Sequence, residues 1–207
     1  MERPAGDLIE SVDGRPVDEY LHDVGAQRAE QFRNSRAEDI ISRKEIGEVT
    51  AVAMDRRTGE IFEGTNGRPS DVISEDDLHP LLQERLERLR EEGPYPNLNR
   101  DGTVNLDANG NPKVRDYPFP DDPLGHAEVK AVNELLRRRG GSVDESVFSE
   151  LRVDNYAPFP SAGVRSAPCC ANCSALLSGA PSGAGRYTGF PSDHTTNFRS
   201  DDAHQHR

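Results

Sequence analysis

A helix that begins directly after His126 is the feature that most constrains this chain. Its apolar residues recur at the three- and four-residue spacing of an amphipathic helix: Val129, Val132, Leu135 and Leu136. Two glycines at positions 140 and 141 stop the helix, and three arginines occupy its last turn, where cations suit the carbonyl end. His126 and Glu128 are therefore predicted to lie at a helix N-terminus.

A second, short helix is predicted at the cysteines. Pro168 precedes the run CCANCSALLSG, and Gly179 stops it. Cys170 and Cys173 are three residues apart and share one face of such a helix. Helix N-termini favour anions, which helps to hold both cysteines as thiolates. A His-x-Glu pair and a Cys-x-x-Cys pair thus occupy the same kind of position in two helices.

These residue types match a catalytic zinc site. Zinc takes nitrogen and thiolate ligands tetrahedrally, and a catalytic site keeps three protein ligands with one position open. His126, Cys170 and Cys173 would supply the three, and zinc would lower the pKa of a bound water toward neutrality. Glu128 is not needed as a ligand, so it can move a proton from that water to a leaving amine. This is the role of the glutamate in the zinc base deaminases, whose signature is H-x-E followed by P-C-x-x-C.

The two motifs together resemble the cytidine-deaminase-like superfamily. They read GHAEVKAVNELL and PCCANCSALL, and the likeness spans about residues 47–180. It is closest to the YwqJ-like and related deaminases found as domains of bacterial polymorphic toxins. The resemblance implies a toxin or effector that deaminates a nucleobase, with cytosine in single-stranded DNA or RNA as the target. It also implies a cognate immunity protein as a partner that covers the pocket.

One residue departs from the family pattern. The family places proline directly before the first ligand cysteine, whereas here Cys169 lies between Pro168 and Cys170. Either Cys170 and Cys173 bind the metal, or Cys169 and Cys173 do. The spacing of the signature favours the first pair.

Three other functions stay open at this point. A free nucleoside or nucleotide could be the substrate in place of a polymer. A closed Cys3His zinc site would make the protein a non-catalytic interaction domain, but it would leave Glu128 without a role. A Cys-x-x-Cys redox pair would leave both His126 and Glu128 unexplained.

The charge distribution bears on the substrate and on the compartment. The net charge is −12, and residues 1–125 hold 28 acidic against 16 basic residues, whereas 126–207 hold nine of each. Nucleic-acid binders usually present a basic face, so tight duplex binding is not expected. The sequence offers neither a membrane-spanning run nor a signal-peptide core. We therefore expect no membrane partner and a cytoplasmic site of action, with any export by a route that the sequence does not show.

The segments around the motifs predict an α/β protein. A helix is expected over 16–36, a β-hairpin over 48–64, a helix capped by Ser74, and a strand before the cysteines. In the family's terms this is a three-layer α/β/α sandwich of the cytidine deaminase type, with a mixed sheet and an N-terminal β-hairpin. The deaminase-like domain would span 16–190, with a helical insertion and a long irregular loop within about 68–125. Residues 1–15 and 191–207 are expected to be disordered tails, since only 33% of the chain is hydrophobic.

Substrate contacts are predicted at three residues. Asn66 follows the hairpin and would lie at the pocket mouth, although an Asn-Gly turn without any contact is the alternative. The resemblance adds Ala127 and Pro168, which neighbour the ligands. Residues 93–125 run into His126 with little periodicity, so we expect a lid there. His79 is expected to be a surface residue.

Overall fold

A computed structural model describes residues 1–3, 6–99, 103–140 and 142–186. In chain order its helices and strands are β1 Ser11–Val12, β2 Arg15–Pro16, α1 Val17–Ala37, α2 Arg43–Ile46, β3 Thr50–Asp55, β4 Ile61–Thr65, α3 Pro80–Glu91, β5 Tyr95–Pro96, β6 Val114–Arg115, α4 Ala127–Arg139, α5 Val147–Glu150, β7 Leu151–Ala157, β8 Arg165–Ser166 and α6 Ala171–Leu176. None of the helices in these ranges has the length and apolar character needed to cross a bilayer. The tail expected over 191–207 lies outside the described residues.

The central sheet has four strands in the order β4-β3-β7-β8, and every neighbouring pair is antiparallel. The mixed sheet expected from the sequence is therefore wrong for these strands. Parallel pairing within the described ranges is limited to isolated bridges, one of which joins Val153 to Ser182. The segment that would extend it contains Pro181, Gly183 and Gly185, which are poor strand formers.

Helices cover both faces of this sheet. Side chains alternate along a strand, so Val52 and Met54 point to one face and Ala53 to the other. The first pair packs in a cluster with α1 residues Val17 and Leu21. On the other face Ala53 belongs to the main core, which holds the apolar stripes of α3, α4 and α6. The α/β class predicted from the sequence is confirmed.

Strand β7 carries polar side chains on both faces. Asp154 lies on the α1 face, where its Oδ2 is 3.1 Å from His22 Nδ1 and accepts a hydrogen bond of 3.0 Å from the Tyr156 hydroxyl. The next residue, Asn155, points to the α4 face and donates to Glu128. The register that fixes these positions pairs Ala51 of β3 with Asn155 of β7.

The expectation of a disordered N-terminal tail over residues 1–15 is not met by the described residues in that range. Strands β1 and β2 form a small antiparallel hairpin there. Ile9 is fully buried, its N–H donates to Arg56 O at 2.7 Å, and the Arg56 side chain returns a 2.7 Å hydrogen bond to Ile9 O. Ile9 and Val12 complete the cluster beneath α1. Tertiary burial of two apolar residues thus orders a segment whose composition is polar.

Helix α3 begins later than its sequence pattern predicts. Ser74 precedes a 3-10 turn, and the helix proper starts at Pro80 with His79 as its N-cap. His79 Nδ1 accepts a hydrogen bond of 3.3 Å from Leu81 N, and its Nε2 donates to Gly140 O at 3.1 Å. This ring is buried rather than exposed, which corrects the sequence prediction. Helix α3, which lies within the segment expected as an insertion, also supplies leucines to the main core.

Gly64 of β4 allows the start of α4 to pack against the sheet. A Cβ atom on Gly64 would overlap the carbonyl oxygen of Ala127 and would meet Ala131 N at 3.2 Å. Both are backbone atoms, so no side-chain rotation can relieve the contact. The turn that carries His126 and Glu128 therefore sits where it does because residue 64 has no side chain.

We expect Gly64→Ala to displace that turn. The variant should lose about 5 °C or more in Tm and should bind metal more weakly than the wild type, since His126 moves with Ala127. Gly6 is a matched control, because a Cβ there has nothing within 4 Å. Calorimetry and zinc titration of Gly64→Ala and Gly6→Ala would test this, and equal behaviour of the two variants would contradict it.

Candidate metal centre

His126 stands at the N-cap of α4, with extended backbone angles of φ −78° and ψ 137°. A 3-10 turn over Pro123–Gly125 delivers the chain to it. Cys170 occupies the same position in α6, where its Sγ accepts a hydrogen bond from Cys173 N at 3.5 Å. The predicted placement of both motifs at helix N-termini is confirmed.

The three predicted ligands form one buried cluster. His126 Nδ1 lies 3.1 Å from Cys173 Sγ and 3.2 Å from Cys170 Sγ, and the three atoms all lie within 4.8 Å of one another. The other ring nitrogen, His126 Nε2, is buried with no hydrogen-bond partner among the described residues. The ring therefore presents Nδ1 to both sulfurs. A group of this composition could bind a metal ion.

Cys169 is not part of this cluster. Its side chain is fully buried, its sulfur accepts a hydrogen bond of 3.2 Å from Asn155 Nδ2, and its thiol donates to Ser182 Oγ at 3.5 Å. The structure therefore gathers the C-x-x-C pair, Cys170 and Cys173, around His126. It gives no support to the pairing of Cys169 with Cys173.

Burial and mutual charge shift the protonation of the cluster. Burial alone lowers the pKa of His126, but the neighbouring Cys170 thiolate outweighs it and raises this pKa to about 9. Burial also raises the pKa of Cys173, and its hydrogen bond with Cys170 raises it further. Without metal the cluster thus holds protons at neutral pH, and a bound cation would displace them.

Glu128 lies beside the cluster in the first turn of α4. It is almost fully buried, and its Oε1 accepts a hydrogen bond of 3.1 Å from Asn155 Nδ2. Burial raises the pKa of Glu128, and the negative charge of Cys170 adds to the effect. A carboxyl group whose pKa is raised by burial is a candidate for a general acid or base.

A cleft of about 750 Å³ opens onto His126. Its wall carries charges of both signs, which are Arg43, Lys44, Arg68, Glu48, Asp121 and Asp122. The mixture gives a cleft without a strong net potential, although the chain as a whole is acidic.

The three predicted substrate contacts lie in different surroundings. Asn66 lines the cleft, and its Oδ1 accepts a hydrogen bond of 3.1 Å from Ala127 N, so it also anchors the start of α4. Ala127 is fully buried, and Pro168 is half-buried. Neither is among the described residues that line the cleft. Contact of these three residues with a substrate stays a prediction.

Part of the loop expected as a lid is fixed over the site by Asn172. Its Oδ1 accepts from Phe119 N at 2.8 Å, and its Nδ2 donates to Asp121 O at 2.8 Å. The Phe119 ring then meets the His126 ring edge-on, with centroids 6.1 Å apart. Within the described part of 93–125, Pro120, Asp121, Asp122 and Gly125 line the cleft, and Phe119 contacts His126.

Sequence reasoning missed Asn172 and Asn155. Asn172 lies between Cys170 and Cys173, and this position inside the motif was the sequence signal that could have indicated a role at the site. Asn155 is an amide side chain within a strand whose residues are nearly all buried. A buried amide needs hydrogen-bond partners, and that requirement was the available signal. The chain matches no family model, no curated protein and no solved structure.

Proposed function

We propose that this protein is a zinc-dependent deaminase that hydrolyses the exocyclic amine of a nucleobase, with cytosine in single-stranded nucleic acid as the substrate. The observation that carries the proposal is the buried carboxyl group of Glu128 beside a cluster of one imidazole and two thiols. It agrees with the arrangement of the zinc base deaminases.

The donor set fits zinc. His126, Cys170 and Cys173 would hold the ion through one nitrogen and two sulfurs, which are the ligand types that zinc prefers. Three protein ligands are the number found in catalytic sites, whereas structural sites are closed by four. Zinc, when bound there, supplies Lewis-acid chemistry that makes water a nucleophile at neutral pH.

Glu128 would carry the proton in this reaction. Hydrolytic deamination adds water at the ring carbon and releases ammonia, so a proton must pass from the water to the amino group. Burial raises the pKa of the Glu128 carboxyl group, which favours its taking up that proton before passing it on.

A non-catalytic zinc-stabilised interaction domain fits these residues less well. The third thiol, which could close a structural site, is directed instead to Asn155 and Ser182. Burying the Glu128 carboxyl group costs free energy, and a purely structural zinc site would gain nothing from it. The cleft that opens onto His126 would also be unused.

Deamination of a free nucleoside or nucleotide is the second candidate. The net charge of −12 favours it, because a polymer of phosphates would be repelled. A toxin role in the cytoplasm of a target cell, with an immunity protein as partner, is proposed from the motif resemblance alone.

Metal analysis and a substrate panel on the purified protein would test this function. The panel is single-stranded DNA, duplex DNA, RNA and cytidine, with uracil or uridine as the measured product. We expect about one zinc per chain and product from a single-stranded polymer. Preference for cytidine would establish the second candidate. Zinc without product from any substrate would favour the interaction domain. Absence of zinc would refute the polymer deaminase, the nucleoside deaminase and the zinc-stabilised interaction domain alike.

A further inference from the structure

Asn155 is a buried amide that the chemistry above does not require. It lies in β7, opposite Ala51 of β3, and is fully buried. Its Nδ2 donates at 3.1 Å to Glu128 Oε1 and at 3.2 Å to Cys169 Sγ. Its Oδ1 is buried too, with no hydrogen-bond partner in the part of the chain that the structure describes.

The orientation of this amide has a cost and a reason. A buried acceptor without a partner is unfavourable, and such groups are rare in folded proteins. Turning the amide over would give Nδ2 a new position, but it would place Oδ1 against the Glu128 oxygen, acceptor against acceptor. The observed orientation therefore satisfies the carboxylate of Glu128 and leaves Oδ1 of Asn155 unsatisfied.

We propose that Asn155 is a positioning residue that fixes the Glu128 carboxyl group, and that Cys169 holds the Asn155 amide in place. With Oε1 held by Asn155 at 3.1 Å, the Glu128 carboxyl group is kept in one place beside the cluster of His126, Cys170 and Cys173. The role in turnover rests on the proposed function. The contact itself does not.

This role also accounts for the additional cysteine in the motif. Cys169 turns away from His126 and links Asn155 to Ser182, so a chain of contacts runs from Glu128 through Asn155 and Cys169 to Ser182. Cys169, which separates Pro168 from Cys170, therefore holds the Glu128 carboxyl group in place indirectly, through Asn155.

Asn155→Asp tests the donor without changing the size of the side chain. It replaces the amide nitrogen with an oxygen that meets Glu128 Oε1. We expect kcat to fall about 30-fold or more, KM to stay within about threefold, and zinc to remain stoichiometric. Tm should fall by about 5 °C. If Asn155 only fills space, the variant will keep the wild-type kcat, and the proposal is overturned.

Asn133→Asp is the matched control. Asn133 is another buried asparagine, on α4, whose Nδ2 donates to Asp77 O at 3.1 Å and whose Oδ1 accepts from His79 N at 2.8 Å. The substitution should lower Tm and leave kcat unchanged. A loss of kcat equal to that of Asn155→Asp would show a general effect of buried charge and would contradict the proposal.

An exchange of partners tests the contact without any substrate. In the double variant Asn155→Asp with Glu128→Gln, the glutamine amide can donate to the new carboxylate. We expect this double variant to have a higher Tm than Asn155→Asp alone, whereas Asn133→Asp should gain nothing from Glu128→Gln. No recovery would overturn the contact. Recovery together with an inactive wild type would keep the contact and refute the deaminase function, so the two failures are distinguishable.

Discussion

Glu128→Gln is expected to reduce kcat by about 10²–10⁴-fold, the usual contribution of a general acid or base, while zinc stays stoichiometric. Glutamine has nearly the same shape and can still occupy the space between Asn155 and the metal ligands. It cannot accept a proton from water or return one to the leaving amine. The variant should therefore fold and show a KM similar to that of the wild type, whereas its kcat should fall sharply.

The measurement is a steady-state assay on the best substrate of the panel, with zinc content determined on the same preparation. Glu134→Gln provides the control, because Glu134 lies on the same helix with an exposed side chain. It should retain the wild-type kcat. Full activity of Glu128→Gln would refute the role of Glu128, and loss of zinc in that variant would mean that Glu128 acts on the metal instead.

Cys173→Ser is expected to remove the metal. A serine hydroxyl is a poor zinc ligand at neutral pH, and only two ligands of the cluster would remain. Zinc affinity should fall by more than the about 10–100-fold that the loss of an outer hydrogen-bond partner costs. Because a ligand that binds only the native state stabilises it, Tm in excess zinc should fall as well.

Cys169→Ser distinguishes the two possible cysteine pairs. The Cys169 sulfur contacts Asn155 and Ser182 rather than His126, so this variant should keep about one zinc per chain. Equilibrium titration with a zinc-sensitive dye would compare it with Cys170→Ser and Cys173→Ser. Retention of zinc by Cys170→Ser together with its loss from Cys169→Ser would reverse the assignment.

Local spacing was sufficient to predict the parts of the site that depend on short segments. Helix α4 and the cysteine turn were predicted because apolar period, stop glycines and motif residues lie within a few positions of each other. The β3–β4 hairpin was predicted for the same reason. Each of these patterns is read within one element and needs no knowledge of the rest of the fold.

Contacts between distant segments could not be predicted in this way. Asn155 meets Glu128 only because β7 pairs with β3 in one register, and Asn172 meets Phe119 across 53 positions. His79 is polar and precedes a proline, so its sequence context did not indicate a buried residue. Its burial depends on a distant partner, the Gly140 carbonyl, to which its ring donates a hydrogen bond. Ile9 belongs to a mostly polar stretch without a clear period, and its burial depends on the cluster that it forms with Val12 and α1.

The register between β3 and β7 has a consequence for folding fidelity. Successive residues of β7 serve opposite faces, with Asp154 toward His22 and Asn155 toward Glu128. A slip of one position that carried Asp154 into the place of Asn155 would bring its carboxylate against Glu128 and would put Val153 in the place that Asp154 holds beside His22. Two carboxylates would then share a dry interior, which is strongly unfavourable. The polar residues of both faces therefore discriminate against a misaligned sheet, so a molecule in which Asn155 reaches Glu128 has also aligned its central strands correctly.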